Sequence, residues 1–420
     1  MYTFVMHTVV RILINTILVL ASISLTILAL ELLLHLTQLQ YKYVSAQAPR
    51  GYFHFDPELG FDITPEFATS THIFYDFSYP VWSNKRGCYD YEFDGSSPYL
   101  YVTGDSMAWG FAPLDDKWGK GIEKLLGIRA LTCGVNGFGI RQELIKARRE
   151  LAELPQSPKV IIVSYFDNDK ADDHNFPNYN VLDGYVVWGE GQCGTEALLD
   201  VSPLEATTTC NVAAIHYPPF QKFKFNLALH SVLYSMVTTK FGKEIRASLQ
   251  PYLPWLSPLH PFFPWLIPST IVNTSHRGLD AISDSPALTW ELHQKNILAF
   301  KRFADSHHAK LVFVLIPDRD TLSATTTDPT WDNERVAAYL AASHINYINL
   351  WQDFYDRQKL PERSFYWDVN LHMNVAGNRF VGLMTSRYLL EHDLVRIANK
   401  KEILEKINAD LLRDFPVNSD

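Results

Sequence analysis

The longest uninterrupted pattern in this chain is apolar. From residue 12 to residue 30 there are 19 residues without a charge, and apolar character continues past Glu31 to Leu36. That is long enough to cross the hydrocarbon layer as a helix. No polar face recurs at helical spacing, which disfavours a buried core helix. Ala21-Ser22-Ile23-Ser24 imitates a signal-peptide cleavage site, but the apolar run continues well beyond it. The pattern predicts a short tail over residues 1–8 and an uncleaved membrane anchor over 9–38. Residues 39–97 are rich in aromatics, Gly, Pro and Asp, and read as a juxtamembrane collar of loops and short strands.

From Tyr99 the pattern changes to short apolar runs alternating with amphipathic ones. Strand-like runs fall at 99–102, 130–133, 160–166, 311–316 and 345–350. Helical runs fall at 118–126, 142–154, 288–308, 334–343 and 376–390. This alternation predicts an α/β fold, a parallel sheet covered by helices. The alternation breaks between about residues 175 and 285. A helical piece at 225–249 is followed there by a proline-dense run, Pro251 to Pro268, which forbids regular helix or central strand. The break reads as an insertion forming a lid or side wall. Its Trp255, Phe262, Phe263 and Trp265 suit core or interface packing, or contact with acyl chains or a membrane. The catalytic domain then spans 98–392, and 393–420 holds a peripheral charged helix.

Charge removes some functions. A formal net charge of -9 and a pI near 5.9 argue against nonspecific nucleic-acid binding, which needs a basic field. Arg11 before the anchor and Lys42 and Arg50 after it nearly balance, so orientation is poorly marked. Four cysteines lack the spacing of a zinc site. Cys193 and Cys210 are close enough for a local disulfide, which fits an oxidising compartment. Cys88 and Cys133 read either as a second pair or as two buried thiols. Asn273-Thr274-Ser275 is a glycosylation sequon. No H-E-x-x-H, P-loop or dinucleotide fingerprint occurs, so no metal or cofactor is expected.

Four places at predicted strand ends or in loops carry chemistry. Gly104-Asp105-Ser106 follows the first strand, where a serine serves either as a helix cap or as a nucleophile. Gly134-Val135-Asn136-Gly137 follows the second, and lets backbone N–H groups approach a ligand. Phe166-Asp167-Asn168-Asp169 closes the third, and the Asn168 amide can donate to an oxyanion. Asp368 and His372 lie in a loop before the last sheet-covering helix and can act as orienting acid and base. Serine acyl chemistry needs this set: a nucleophile, a base, a group that orients the base, and oxyanion donors.

In this order the motifs resemble the SGNH, or GDSL-like, hydrolases. The resemblance covers roughly residues 98–390 apart from the insertion. The membrane helix, with Asp56-Pro57-Glu58-Leu59-Gly60 and Asn84-Lys85-Arg86-Gly87 after it, looks like membrane-anchored bacterial members. The resemblance implies a three-layer, flavodoxin-like sandwich. It implies Ser106 as nucleophile, His372 as base and Asp368 as its partner. The Ser106 and Gly137 N–H groups and the Asn168 side chain would form the oxyanion hole. Two departures stand out. Phe166 occupies a position where that family usually has Gly, and Asp368 lies four residues before His372 rather than two or three. A Ser–His dyad oriented by a backbone carbonyl is the alternative to a full triad. The G-x-S-x-G motif of α/β-hydrolases is absent around Ser106.

The expected function is a membrane-anchored serine esterase acting on an acylated glycan or lipid, with its catalytic domain in the periplasm of a bacterial inner membrane. The alternatives are an O-acyltransferase of cell-envelope polysaccharide and a non-catalytic glycan-binding or scaffold member. Membrane and acylated substrate are the partners expected.

Overall fold

The computed structural model describes residues 2–37, 48–74, 77–188, 212–216, 218–238, 286–323, 332–358, 364–368 and 371–417. The proline-dense run, the sequon, Cys193 and Cys210 lie outside these. The chain divides into two compact units.

The smaller unit contains the helix Tyr2–Leu36 and the helices Pro219–His230 and Val232–Met236. Its segment Val10–Leu36 has a mean hydropathy of 2.5 and is long and apolar enough to cross a membrane. Leucines such as Leu25 and Leu28 are exposed along it. Near its end the Glu31 carboxylate accepts hydrogen bonds from the backbone N–H of Val232 (2.6 Å) and Leu233 (3.1 Å). These are first-turn amides with no partner inside their own helix. The helix expected over 225–249 is therefore interrupted at Ser231, whose hydroxyl accepts from Tyr234 N as an N-cap.

In the larger unit, β1 (Phe53–Asp56) and β2 (Gly60–Ile63) form an antiparallel hairpin; β3 (Ser70–Phe74) and β4 (Phe77–Val81) follow, the stretch Ile73–Ser78 within them being counted with the smaller unit. The main sheet is built from β5 (Tyr99–Thr103), β6 (Arg129–Thr132) and β7 (Val160–Tyr165). After a hairpin of β8 (Tyr179–Leu182) and β9 (Tyr185–Trp188), it gains β10 (Lys310–Leu315) and β11 (Asn346–Asn349). Its order is β11-β10-β7-β5-β6, and every pairing described is parallel.

Side chains alternate between two cores, as a pleated strand requires. Leu100, Val102, Val160, Ile162, Val312 and Val314 face one core, with the helices Trp118–Leu126, Val375–Glu391 and Lys400–Asp414. Tyr101, Ile161, Val163 and Phe313 face the other, with Ile140–Ala152, Pro286–Ser306 and Asp332–Ala342. The result is a three-layer α/β sandwich. A sheet buried on both faces reads as continuous apolar runs, which is why its strands stand out.

After β6 the chain crosses over β5 to form β7. Connections leaving β5 and β7 therefore run to opposite faces, and a crevice opens beyond their carboxyl ends. Open parallel sheets bind ligands at such a point.

Residues 48–97 pack against the helix Ile140–Ala152. Lys146, fully buried, places its Nζ 2.7 Å from Asp62 Oδ1 and donates to the Gly87 carbonyl at 3.2 Å. Arg149 pairs with Asp56 at 2.7 Å and with Glu58. Asp56 also accepts from the Glu58 and Leu59 amides, which fixes the turn between β1 and β2. Cys88 and Cys133 form a disulfide that joins this segment to the end of β6. Of the two sequence readings of these cysteines, the paired one is the structure's.

Candidate active site

Ser106 is the first residue of a one-turn helix, Ser106–Trp109, at the carboxyl end of β5. Gly104 makes the turn possible. Its φ is +143°, and a Cβ there would lie 2.1 Å from Ser164 Oγ on β7, so only glycine fits. Asp105 caps the helix by accepting from Met107 N at 2.8 Å. Its other oxygen accepts from Ser106 Oγ at 3.0 Å. Asp105 has no exposed surface, and Ser106 is 6% exposed. Burial pushes the Asp105 carboxyl up to about 6, against the lowering effect of bonds from Met107, Ser106 and Asn168.

Asn168 lies at the carboxyl end of β7, across the crevice. Its Nδ2 donates to Asp172 Oδ2 at 2.6 Å, and the amide lies near enough the Asp105 carboxyl to favour its charged form. The structure thus places Ser106 and Asn168 on either side of Asp105. Phe166, at the position where glycine was expected, is 8% exposed and packs into the first core.

Gly137 lies in the loop after β6 with φ at +84°. The Tyr179 ring covers it so closely that a Cβ would stand 2.5 Å from Tyr179 Cε2. The loop begins on a β5 contact, with Val135 N donating to the Gly104 carbonyl at 3.0 Å.

His372 lies in a loop that doubles back on itself. Trp367 N donates to the His372 carbonyl at 3.0 Å, and Asn374 N to the Phe365 carbonyl at 3.0 Å. Asn374 then caps the helix Val375–Glu391 by accepting from Gly377 N at 3.0 Å. Two contacts tie this loop to the serine. The Trp367 indole donates to the Phe111 carbonyl at 3.1 Å. The Phe111 ring lies against the His372 ring, with centroids 3.9 Å apart, and against Trp109 of the serine helix at 4.9 Å. Burial pushes the His372 imidazole down to about 3, so it is neutral at physiological pH. Asp368 is exposed, and its backbone carbonyl accepts from Arg319 Nη1 at 3.5 Å.

Sequence reasoning gave no role to a group of acids behind Ser106. Glu143, Asp169, Asp172 and Asp173 are each less than a tenth exposed. Burial, then the charges of its neighbours Asp105, Asp173 and Asp172, holds the Glu143 carboxyl well above its usual range. Asp169 and Asp172 are raised in the same way. Asp173 accepts from Arg141 N and lies 2.8 Å from His293 Nδ1. The helix Pro286–Ser306, more than a hundred residues away, packs on the helix that follows Asn168, with His293 against Asp173 and Thr289 against His174.

No family model matches this sequence, and no curated protein matches it. Solved structures do align with it. A protein of Desulfitobacterium hafniense DCB-2 assigned to the lipolytic G-D-S-L family is similar at 13% identity and a TM-score of 0.33, over 69% of this chain and 99% of its own. A member of the lipolytic G-D-S-L family from Veillonella parvula DSM 2008 is similar at 11% identity and a TM-score of 0.32, over 68% and 94%. A Bacteroides fragilis NCTC 9343 protein assigned as an acylhydrolase is similar at 9% identity and a TM-score of 0.30, over 73% and 92%.

Proposed function

We propose that the chain is a serine esterase held at a membrane by its N-terminal helix. The observation that carries this reading is the Ser106 hydroxyl, hydrogen-bonded to buried Asp105 at the carboxyl end of β5, with the Asn168 amide beside the same carboxyl at the end of neighbouring β7. A hydroxyl nucleophile and an amide donor stand there within one carboxylate of each other.

In this reading Ser106 Oγ attacks the ester carbonyl and His372 takes its proton. The C–O bond to the leaving alcohol breaks, and His372 returns the proton to that alcohol. The carbonyl oxygen, negative in between, receives N–H donors from Ser106, Gly137 and the Asn168 side chain. Water then attacks the acyl-enzyme by the same route. A sugar hydroxyl in place of water would make the reaction an O-acyl transfer. A neutral imidazole is the form a general base requires. Asp368 is assigned to orient His372.

The Cys88–Cys133 disulfide supports a larger unit in an oxidising, extracytoplasmic compartment such as the bacterial periplasm. An acylated glycan or lipid of the cell envelope is the substrate class that fits this placement.

The test uses the full-length protein in detergent. It should hydrolyse p-nitrophenyl acetate and take up a fluorophosphonate probe, and Ser106→Ala should do neither while melting at the wild-type temperature. A wild-type protein inert toward both reagents and toward acetylated glycans would sink the reading.

A further inference from the structure

Asn168 is gripped from behind. Its Nδ2 donates to Asp172 Oδ2 at 2.6 Å. Asp172, four residues further on, begins the second turn that Asn168 caps, and Asp172 N donates back to the Asn168 carbonyl at 2.8 Å. The other Asp172 oxygen accepts from Asn178 Nδ2. Asp172 is 8% exposed and Asn178 is 6% exposed. A buried carboxyl group thus bridges two side-chain amides, one from the helix and one from the segment leading into β8.

An asparagine amide turns about a broad, roughly two-fold torsion. Without a fixed acceptor, its N–H groups follow whichever carboxylate is nearest. Asn168 has Asp105 in front of it and Asp172 behind it. With one N–H committed to Asp172, the other is available on the side of Asp105, the carboxyl that holds the Ser106 hydroxyl. We propose that Asp172 is a positioning residue for Asn168: by anchoring one N–H it aims the second at the place where an oxyanion forms beside Ser106. The inference rests on the esterase reading of Ser106. In this reading the second N–H turns to the substrate oxygen as negative charge develops there. A donor already fixed in a buried site needs little reorganisation at that moment.

The acids around Asp172 do not make a cation site instead. Among the described residues, the group of His, Cys, Asp and Glu side chains close enough to share an ion is Cys88, Cys133 and Glu150, and those cysteines are joined as a disulfide. Orientation by hydrogen bonding is the role left to Asp172.

The experiment compares Asp172→Ala and Asp172→Asn in the full-length protein. Asp172→Ala should lower kcat by about ten- to a hundredfold, the usual loss when a supporting hydrogen bond is removed, with KM within about twofold. Asp172→Asn should keep kcat within about threefold, because its amide oxygen still accepts from Asn168 while Asn178 turns its own oxygen to the new NH2. In an Asn168→Ala background, Asp172→Ala should cost less than about twofold more, since the two act as one unit. Additive losses, or Asp172→Asn as slow as Asp172→Ala, would overturn the inference.

A second readout needs no substrate. In ¹⁵N NMR the Asn168 side-chain N–H groups should exchange slowly in wild type and in Asp172→Asn, and faster in Asp172→Ala. Equal exchange in wild type and Asp172→Ala would overturn the inference. Were the wild type inert toward esters and fluorophosphonate, the esterase reading would fall, and NMR would still decide whether Asp172 holds the amide.

Discussion

The imidazole of His372 lies on the ring of Phe111, with centroids 3.9 Å apart, and the same phenylalanine touches Trp109 on the serine helix. One aromatic ring thus bridges His372 and the serine helix, and it covers a face of the imidazole. Opening that ring to solvent should release the depressed pKa. In wild type, burial pushes the His372 imidazole down to about 3, so kcat/KM should show no histidine limb between roughly pH 5 and pH 8. In Phe111→Ala the imidazole should move back toward about 6.5. A fall in kcat/KM should then appear on the acid side, because protonation removes the base. Superimposable pH profiles would refute the shielding role.

Asp368 and His372 should contribute unequally. The Asp368 carboxylate is exposed, and exposed charges act weakly through water and salt. His372→Ala should reduce kcat by about a thousandfold or more. Asp368→Asn should reduce it by less than about tenfold. Losses of equal size in steady-state assays would mean that Asp368 works as a full triad member once substrate is bound.

Gly137 should resist substitution for two separable reasons. Its φ of +84° costs an L-residue about 1–2 kcal/mol. The Tyr179 ring, 2.5 Å from where a β-carbon would stand, adds a collision. Gly137→Ala should therefore lower both stability and kcat. In a Tyr179→Ala background only the backbone cost should remain, about 1–2 kcal/mol in urea unfolding. Equal destabilisation in both backgrounds would remove the collision from the account.

The buried acids should make stability fall with rising pH. The folded chain keeps the Glu143 proton well above the usual range, whereas the unfolded chain releases it near 4.5. Between those two values the unfolded state binds fewer protons, so stability declines as pH rises, by up to about 1.4 kcal/mol per pH unit. Glu143→Gln carries no such proton. Its melting temperature should exceed that of wild type at about pH 8, and the gap should close toward about pH 5. A gap that stays constant with pH would show that Glu143 does not titrate in this way.

The five strands and their order of use were legible because the sheet is buried on both faces: Tyr99–Thr103 and Val160–Tyr165 are apolar runs with no solvent side to disguise them. The position of Ser106 at a strand end was legible for the same reason. The helix Trp351–Gln358 was not, since its mixture of polar and aromatic residues shows no clean apolar stripe; Asn349 starts it by accepting from Trp351 N. Nor was the burial of Asp105, Glu143 and Asp172. A carboxylate in a local window looks like surface, and what covers these three comes from β7, the segment before β8 and a helix beginning at Pro286. The pairing of Cys88 with Cys133 was one of two readings the sequence left open, and only the fold, which brings residues 45 apart together, decides it.

Lys146 sets the boundary of any soluble fragment. Its ammonium is completely buried; two of its partners, Asp62 and the Gly87 carbonyl, precede the first strand of the main sheet, and Glu150 Oε1 lies 3.9 Å away on its own helix. Cutting the chain just before Tyr99 would strip the helix Ile140–Ala152 of the segment packed on it and leave Lys146 with Glu150 alone. It would also remove Cys88 and leave Cys133 a lone thiol. A fragment that keeps these contacts therefore begins ahead of β1, and residues 48–72 and 79–97 belong to the packing of the larger unit rather than to a tether.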